Sequence, residues 1–376
     1  MADPAPRGTV VVLGSYGPSL ILFRRALLVE LVRRGYRVVA MAPGIPDDIR
    51  TEIQALGAEA REVPLVNASL NPLAAAASLK ALAAEFRSLA PDALIAYTIK
   101  PVTLGSLAAA RAGVPRIVAL ITGLGFAFTE GGGFKRRLSK AMATILYRRA
   151  LRRCTSVIFQ NPDDRTFFEA RRIVPPGPHV AVVNGSGIDL ERFQVAPLPA
   201  ATSFLMISRY LGDKGVREYG EAVRRLKPLH PDVAFRLVGY PDPSPDGIPA
   251  AEMAAIAEAG VELVGRLDDV RPAVAAAGVY VLPSYREGTP RSVLEALAMG
   301  RPVITTDAPG CRETVEHGVN GLLVPPRDAQ ALAAAMERLI REPALLPGMA
   351  QASRALAERK FEVGGVTRSI LAAAGL

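Results

Sequence analysis

Residues 285–300 read Tyr-Arg-Glu-Gly-Thr-Pro-Arg-Ser-Val-Leu-Glu-Ala-Leu-Ala-Met-Gly and follow the apolar run 278–282. That run predicts a short buried strand, and the residues after it predict a loop. Thr289 followed by Pro290 predicts an N-cap and the first position of a helix, which Gly300 ends. A strand, a loop and a capped helix in this order place backbone N–H groups at the end of a sheet, which is a geometry that binds anions.

Length and composition indicate a globular protein. The 376 residues are enough for about two domains. Lys and Arg number 45 against 36 Asp and Glu, so the net charge is +9, and 50% of the chain is hydrophobic. Disordered chains have less apolar content than this. The positive balance is compatible with an acidic partner, either nucleic acid or a lipid surface.

Cysteine and histidine are scarce. Cys154 and Cys311 have no motif spacing, and the three histidines are scattered. This pattern argues against a disulfide scaffold and a metal site. No apolar run reaches the roughly 18 residues that span a bilayer, and the N-terminus does not resemble a signal peptide. We therefore expect a soluble cytoplasmic protein.

Predicted strands and helices alternate along the first half. Residues 9–13 predict a strand, Gly14 and Gly17 a tight loop, 20–34 a helix and 36–41 a second strand. The complete G-x-G-x-x-G pattern is missing, so a sharp turn explains the two glycines as well as a nucleotide site does. Further strands are predicted at 58–63, 92–97, 116–121 and 156–160, with helices at 70–89, 98–112, 134–153 and from Asn161.

The second half repeats this alternation after a proline-containing segment, 194–200, that predicts a linker. Strands are predicted at 203–207, 235–238, 261–265, 302–306 and 321–324, with helices near 268–276 and at 328–341. The sequence therefore predicts an α/β fold in both halves.

Glu287 and Glu295 flank the predicted anion site with the spacing E-x7-E. Carboxylates repel phosphate, but they bind neutral hydroxyl groups such as those of a sugar and a ribose. The spacing alone says little, because a solvated loop residue and an exposed helix residue produce it equally well.

The residues around this pair are more specific. Glu-Gly-x-Pro-x4-Glu-Ala, preceded by Leu-Pro-Ser and followed by Thr-Thr-Asp-Ala-Pro-Gly, resembles the donor-site signature of the family-4 retaining glycosyltransferases. The run 97–128 resembles a branch that extends polyprenyl-diphosphate-linked sugars. The resemblance implies the GT-B fold, with two facing Rossmann-like domains: an acceptor domain over 1–194 and a donor domain over 195–360. A last helix, 361–376, is expected to cross back to the N-terminal domain.

Arg209 and Lys214 lie in Ser-Arg-Tyr-Leu-Gly-Asp-Lys-Gly, one at a predicted strand end and one at a helix start. Two such cations could clamp a diphosphate, although surface Arg and Lys are common. The segment resembles the family's Arg-x4-Lys-Gly motif. The resemblance implies that both hold the diphosphate and stabilise the leaving nucleotide without a metal, that Glu287 binds the donor sugar and that Glu295 binds the ribose. It also assigns to the donor site Gly14, Gly17, Gly239, Arg266, Gly288, Thr289, Pro290, Arg291 and Ser292.

The predicted helix 134–153 is basic. No Asp or Glu occurs between Glu130 and Asp163, whereas eight Lys and Arg do. Such a helix is typical of contact with an anionic membrane or a lipid diphosphate, but also of a solvated face. Nucleic acid is not expected, since no RNA-binding motif accompanies the charge. The residues assigned to acceptor or membrane are Thr122, Gly123, Lys135, Arg136, Arg137 and Lys140.

Thr122 and Gly123 also fit an ordinary loop that caps a helix. Many relatives carry a histidine near this position, and Thr-Gly replaces it here. No histidine base is therefore carried over from the family.

The resemblance implies a retaining, metal-independent enzyme without cofactor. It would move a sugar, expected to be an N-acetylhexosamine, from a UDP-sugar to a polyprenyl-diphosphate-linked saccharide in surface polysaccharide or glycoprotein biosynthesis. Such an enzyme would lie peripherally on the inner face of the cell membrane. The alternatives are a UDP-sugar 2-epimerase of the same fold and a non-catalytic nucleotide-sugar-binding subunit. Donor sugar, linkage and oligomeric state do not follow from the sequence.

Overall fold

The computed structural model describes residues 6–65, 72–124 and 134–376, apart from the side chains of Pro72 and residues 134–140. The chain divides into two compact units. Unit 1 comprises residues 1–186 and 364–376, and unit 2 comprises residues 187–363. The segment 194–200, predicted to be a linker, lies within unit 2, where Arg301 donates hydrogen bonds to the carbonyl oxygens of Ala196 and Pro197.

Unit 1 contains a seven-stranded parallel sheet of order β3-β2-β1-β4-β5-β6-β7. Its strands are β1 (Thr9–Leu13), β2 (Arg37–Ala42), β3 (Glu59–Glu62), β4 (Ala93–Tyr97), β5 (Arg116–Ile121), β6 (Ser156–Phe159) and β7 (His179–Val182). Its first seven helices are α1 (Ser19–Leu22), α2 (Arg25–Arg33), α3 (Asp47–Ala55), α4 (Pro72–Leu89), α5 (Ser106–Ala112), α6 (Phe134–Leu151) and α7 (Pro162–Ala170). A π-helix, Pro101–Gly105, precedes α5.

The central strand β1 is covered on both faces. Val10, Val11, Val12 and Leu13 are all 0% exposed, because alternate side chains enter one of two hydrophobic cores. A continuous apolar strand of this kind is what a parallel sheet between two helix layers requires. Val10 lies in register with Val38 of β2 and Ala93 of β4.

Unit 2 contains a six-stranded parallel sheet of order β10-β9-β8-β11-β12-β13. Its strands are β8 (Ser203–Ile207), β9 (Ala234–Val238), β10 (Val261–Gly265), β11 (Val279–Leu282), β12 (Val303–Thr306) and β13 (Gly321–Val324). Its helices are α8 (Val216–Leu226), α9 (Ala250–Glu258), α10 (Arg271–Ala275), α11 (Arg291–Ala298), α12 (Ala329–Arg341) and α13 (Leu346–Leu356). Counted within each unit, both sheets share the doubly wound order 3-2-1-4-5-6.

The C-terminal helix α14 (Val363–Ala374) returns to unit 1. Val366, Ile370 and Leu371 are buried in the same core as Val10 and Val12 of β1. Burying each such side chain contributes roughly 1.5–3 kcal/mol. The prediction that the last helix packs on the N-terminal domain is therefore confirmed.

The structure corrects the helix predicted over 20–34. The chain forms two helices there, because Phe23 and Arg24 leave the helical conformation between them. The turn buries Arg24, which is 2% exposed and stacks its guanidinium 4.7 Å above the Tyr97 ring. Helical periodicity does not encode this contact with β4. Elements that the sequence did not predict are α3, α9, α13 and β7.

Candidate active site

The predicted diphosphate and sugar residues meet at one end of the unit 2 sheet. Strands β8 and β11 are neighbours, and the sheet grows in opposite directions from them. Arg209 and Lys214 follow β8, whereas Glu287 follows β11. Open α/β sheets bind ligands beyond the carboxyl ends of the strands at such a switch point.

The loops after β8 and β11 are packed tightly together. Gly215 has φ +75°, and a Cβ there would lie 2.2 Å from the carbonyl oxygen of Pro283. The N–H of Tyr285 donates to the carbonyl oxygen of Asp213 over 2.8 Å. Only glycine fits at position 215, because the positive φ and the close approach of the Pro283 carbonyl both exclude a side chain. The contact fixes where Lys214 lies relative to the second loop.

Lys214 forms a buried ion pair with Glu287. Lys214 Nζ lies 2.6 Å from Glu287 Oε1, and the side chains are 18% and 16% exposed. The Ser284 hydroxyl donates to the same carboxylate oxygen over 2.9 Å. Burial lowers the pKa of Lys214, but the negative charges of Glu287 and Asp213 raise it more, so the pKa lies above its usual value. The ammonium group therefore stays protonated.

Arg209 is held at the rim of the site by Asp242. Arg209 Nη1 lies 2.5 Å from Asp242 Oδ2; the Arg209 side chain is 50% exposed and that of Asp242 is 9% exposed. Burial raises the pKa of Asp242, but hydrogen bonds from Ser244 and the charge of Arg209 lower it below its usual value. Asp242 therefore holds the half-exposed guanidinium of Arg209 in place.

Helix α11 presents its N-terminus at the same end of the sheet. The first intrahelical bonds run from the N–H groups of Val293 and Leu294 to the Pro290 carbonyl, so the N–H groups of Arg291 and Ser292 precede them. The predicted cap is wrong: Pro290 is the N-cap, and the Thr289 hydroxyl donates back to the Gly288 carbonyl. Pro290 has ψ 112°, which keeps it outside the helix.

Glu295 lies one turn inside α11 and pairs with Arg291 over 3.1 Å. Its side chain is only 14% exposed. Burial raises the pKa of Glu295, and the charge of Arg291 opposes that rise only in part. Glu295 is therefore a partly buried acceptor rather than a solvated helix residue.

The backbone of Glu287 is fixed by the loop after β12. Its N–H donates to the Pro309 carbonyl over 2.9 Å. Gly310 has φ +77°, and a Cβ there would lie 2.2 Å from the Glu287 carbonyl oxygen. The segment 307–310 therefore holds the backbone of Glu287 in place.

The remaining predicted donor residues occupy strand ends. Gly239 follows β9, and a Cβ there would lie 1.9 Å from the Ser208 carbonyl oxygen. Arg266 follows β10 and lies 5.6 Å from the centre of the Tyr240 ring. In unit 1, Gly14 packs on the Tyr97 hydroxyl, which a Cβ would approach to 2.3 Å, and Gly17 packs on the Gly44 carbonyl. Close packing is a sufficient reason for glycine at these positions.

The predicted acceptor residues lie in unit 1. Thr122 and Gly123 directly follow β5, and Gly123 has φ +129°. Lys135, Arg136, Arg137 and Lys140 belong to α6, but their side chains fall outside the described part of the structure.

Sequence reasoning missed several residues that support the site. Asp242 and Asp246 come from the proline-rich loop after β9, and Asp246 accepts the Asp213 N–H over 2.7 Å. Ser284 was passed over as part of a Leu-Pro-Ser motif. The available signal was the segment Tyr-Pro-Asp-Pro-Ser-Pro-Asp, which places two carboxylates in a proline-rich loop directly after a predicted strand.

Among the described residues, no helix has the length and apolar character needed to cross a membrane. Within the same ranges, no group of three or more His, Cys, Asp or Glu side chains could hold a metal ion.

Solved structures share this fold at low sequence identity. Sucrose-phosphate synthase from Thermosynechococcus elongatus aligns with a TM-score of 0.79 and 20% identity over 97% of both chains. Anabaena HepE in complex with UDP aligns with a TM-score of 0.77 and 19% identity over 98% of this chain and 99% of that one. The two Rossmann-like parallel sheets and the similarity to these structures show that the protein has the GT-B fold.

Sequence comparison identifies the family. Residues 23–185 match the family described as Glycosyl transferase 4-like domain, and residues 201–342 match Glycosyl transferases group 1. A Campylobacter jejuni protein, N,N'-diacetylbacillosaminyl-diphospho-undecaprenol alpha-1,3-N-acetylgalactosaminyltransferase, is 28% identical over 90% of this chain and 91% of its own length. The chain belongs to the glycosyltransferases that combine a 4-like domain with a group 1 domain. The prediction of a glycosyltransferase is confirmed.

Proposed function

We propose that this enzyme transfers a sugar, with retention of anomeric configuration and without a metal, from a UDP-sugar to a polyprenyl-diphosphate-linked saccharide. The observation that carries the proposal is the meeting of Arg209, Lys214 and Glu287 beside the N-terminus of α11 at the switch point of the unit 2 sheet. Cations, helix N–H groups and a carboxylate in one place suit a ligand with a diphosphate and a neutral polyol.

Each group has a role in donor binding. Arg209 and Lys214 would bind the diphosphate oxygens, together with the N–H groups of Arg291 and Ser292. Glu287 would accept hydrogen bonds from the sugar hydroxyls, and Glu295 from the ribose. Asp242 and Glu287 hold Arg209 and Lys214 at this end of the sheet, and a diphosphate would compete with these carboxylates for both cations.

The reaction would be a displacement on one face of the donor sugar. The acceptor hydroxyl oxygen forms a bond to the anomeric carbon while the bond from that carbon to the diphosphate oxygen breaks. The hydroxyl proton passes to the departing diphosphate, which leaves as UDP. Arg209 and Lys214 stabilise the negative charge that develops on the leaving group, and two fixed cations supply the charge that a divalent metal provides in other transferases.

The acceptor is inferred from the similar Campylobacter protein, whose name describes transfer of N-acetylgalactosamine to a diphospho-undecaprenol-linked sugar. We infer the same class of acceptor, an N-acetylhexosamine as the transferred sugar, and a place at the cytoplasmic face of the cell membrane.

A panel of UDP-sugars and polyprenyl-diphosphate-sugar acceptors tests this proposal, with and without EDTA, when lipids and nucleotides are read by mass spectrometry. The expected product is an acceptor heavier by one sugar, formed equally in EDTA and lost in Glu287→Ala. A matched control is Glu337→Ala, which removes a carboxylate that pairs with Arg341 on α12. An isomerised UDP-sugar formed without acceptor would instead identify a 2-epimerase.

A further inference from the structure

Over its described residues 141–151, α6 exposes three large apolar side chains. Met142, Ile145 and Leu146 are 41%, 49% and 36% exposed. Their spacing places them on one face of the helix. The opposite face is also apolar and is buried in unit 1 through Tyr147, Ala150 and Leu151. A surface helix ordinarily turns its polar side to water, so the exposed apolar stripe needs an explanation beyond folding.

The same exposed face continues as a row of cations. Arg149 lies on the same face of α6, and Arg152 and Arg153 follow in the turn after Leu151, where the helix ends. All three are exposed, as are Arg171 and Arg172 after α7. The sequence has no Asp or Glu from residue 131 to 162 that could balance them. Apolar and cationic side chains therefore share one surface.

A cavity of about 540 Å³ opens beside this row. Arg148, Arg152 and Arg172 line it, together with Glu169 and the proline-rich loop 174–178. Arg148 is fixed by donating from Nε to the Arg172 carbonyl over 3.0 Å and from Nη2 to the Arg171 carbonyl over 2.6 Å. The one carboxylate, Glu169, pairs with Arg165 over 2.8 Å. Three arginines against a carboxylate that is already paired make this cavity suitable for a phosphate group.

We infer that this region of unit 1, the α6 surface, docks on an anionic phospholipid bilayer. The α6 surface consists of the apolar Met142, Ile145 and Leu146 with Arg148, Arg149, Arg152, Arg153 and Arg172. The apolar side chains enter the interface between headgroups and acyl chains, while the arginines bind lipid phosphates. The inference rests on the proposed function in one respect only: a lipid-linked acceptor gives the enzyme a reason to be at a membrane.

Vesicle flotation of the full chain, without donor or acceptor, tests the docking. Vesicles of phosphatidylcholine alone are compared with vesicles that contain phosphatidylglycerol. Each basic group near an anionic surface contributes about fivefold in affinity, so Arg149→Gln, Arg152→Gln and Arg153→Gln together should weaken binding on the order of 100-fold. Ile145→Ser with Leu146→Ser should weaken it without a change of charge. High salt should weaken the wild-type protein more than the arginine variant.

The control removes three arginines from the exposed helix faces of unit 2, by Arg224→Gln, Arg225→Gln and Arg341→Gln. This variant has the same net charge as the first, and its binding should stay within about twofold of wild type. Equal binding to neutral vesicles, or equal weakening of both triple variants, would overturn the inference. Binding of inorganic phosphate by the protein without vesicles, together with vesicle binding that the arginine substitutions leave unchanged, would identify a free-anion site and also overturn it.

Two further measurements distinguish a failure of the docking inference from a failure of the proposed function. UDP binding by every variant reports that the fold is intact. Transfer to a detergent-solubilised acceptor should survive in the arginine variant, because donor and acceptor then meet without a bilayer. Vesicle binding without transfer to any acceptor would leave the docking standing and refute the proposed function.

Discussion

Lys214 Nζ lies 2.6 Å from Glu287 Oε1, although the two residues are 73 positions apart. The sequence assigned Lys214 to the diphosphate and Glu287 to the sugar, and the structure shows that they also hold each other. Under the proposed function, the diphosphate of a donor would compete with Glu287 for the ammonium group, and the donor's hydroxyl groups would replace part of what the carboxylate loses. Binding of the diphosphate and binding of the sugar would thereby be coupled.

The buried pair makes the single variants less stable than the double variant. Lys214→Met removes the cation that pairs with the Glu287 carboxylate, and should lower the free energy of unfolding by about 2–4 kcal/mol. Lys214→Met with Glu287→Gln should recover most of that loss, while transfer activity stays at least about 100-fold reduced in both. Urea unfolding and a transfer assay measure the two quantities. Arg341→Gln, which breaks an exposed pair, should change stability by less than about 0.5 kcal/mol.

Substitutions at Gly310 and Gly318 distinguish two costs of adding a side chain, the strain of a positive φ and the clash with a nearby atom. Their φ angles are +77° and +80°, but a Cβ would meet the Glu287 carbonyl at Gly310 and nothing within 4 Å at Gly318. Gly318→Ala should cost about 1 kcal/mol in unfolding free energy, and Gly310→Ala about 3 kcal/mol or more. Only Gly310→Ala should also reduce kcat, because it displaces Glu287. Equal costs would show that the loop after β12 yields easily.

If Glu295 binds the ribose as proposed, UDP binding should depend on pH. Burial raises its pKa above the ordinary value of 4.5. As the pH falls through this raised pKa, the carboxylate takes up a proton and stops accepting ribose hydrogen bonds, so UDP affinity should fall. Glu295→Gln should bind UDP about tenfold more weakly at neutral pH and follow a flatter profile. Calorimetric titration of both proteins tests this, and the variant corrects for titration of UDP itself.

The same shift carries a stability prediction of opposite direction. The folded protein binds the Glu295 proton more tightly than the unfolded chain does, so this residue lowers stability as the pH rises through the window between 4.5 and its folded pKa. The difference in unfolding free energy between wild type and Glu295→Gln should therefore change across that window and stay constant above it. A constant difference at every pH would contradict the raised pKa.

Arg301 holds the start of unit 2 to its core. Its guanidinium is buried and donates to the carbonyl oxygens of Ala196, Pro197, Ala277 and Met299. Lysine has one nitrogen and cannot reach these separate acceptors. Arg301→Lys should destabilise the protein by about 2–4 kcal/mol, since buried carbonyls lose their donors. Arg338→Lys, at an exposed helical pair, is the control and should be close to neutral.

Local patterns predicted most strands and the position of the donor motif. Strand β1 was predictable because Val10–Leu13 is a short apolar run, rich in β-branched residues and followed by Gly14, which favours a strand buried on both faces. The end of α11 was predictable because glycine readily adopts the positive φ that terminates a helix, and Gly300 has φ +71°. Its start was not, since Thr-Pro fits a cap at Thr289 and a cap at Pro290 equally well, and the surrounding loop selects the second.

The sequence by itself determined the α/β alternation, because periodicity and caps are local properties. The assignment of residues to a donor site, and of a ligand to their charges, came from the resemblance to a family and remains a prediction. Only the tertiary structure decided which of these residues touch. The order of strands in the sheet makes β8 and β11 neighbours and so joins Lys214 to Glu287, and the burial of α14 returns the end of the chain to the core that contains β1. These contacts depend on free energy gained between segments far apart in the chain, which no local pattern records.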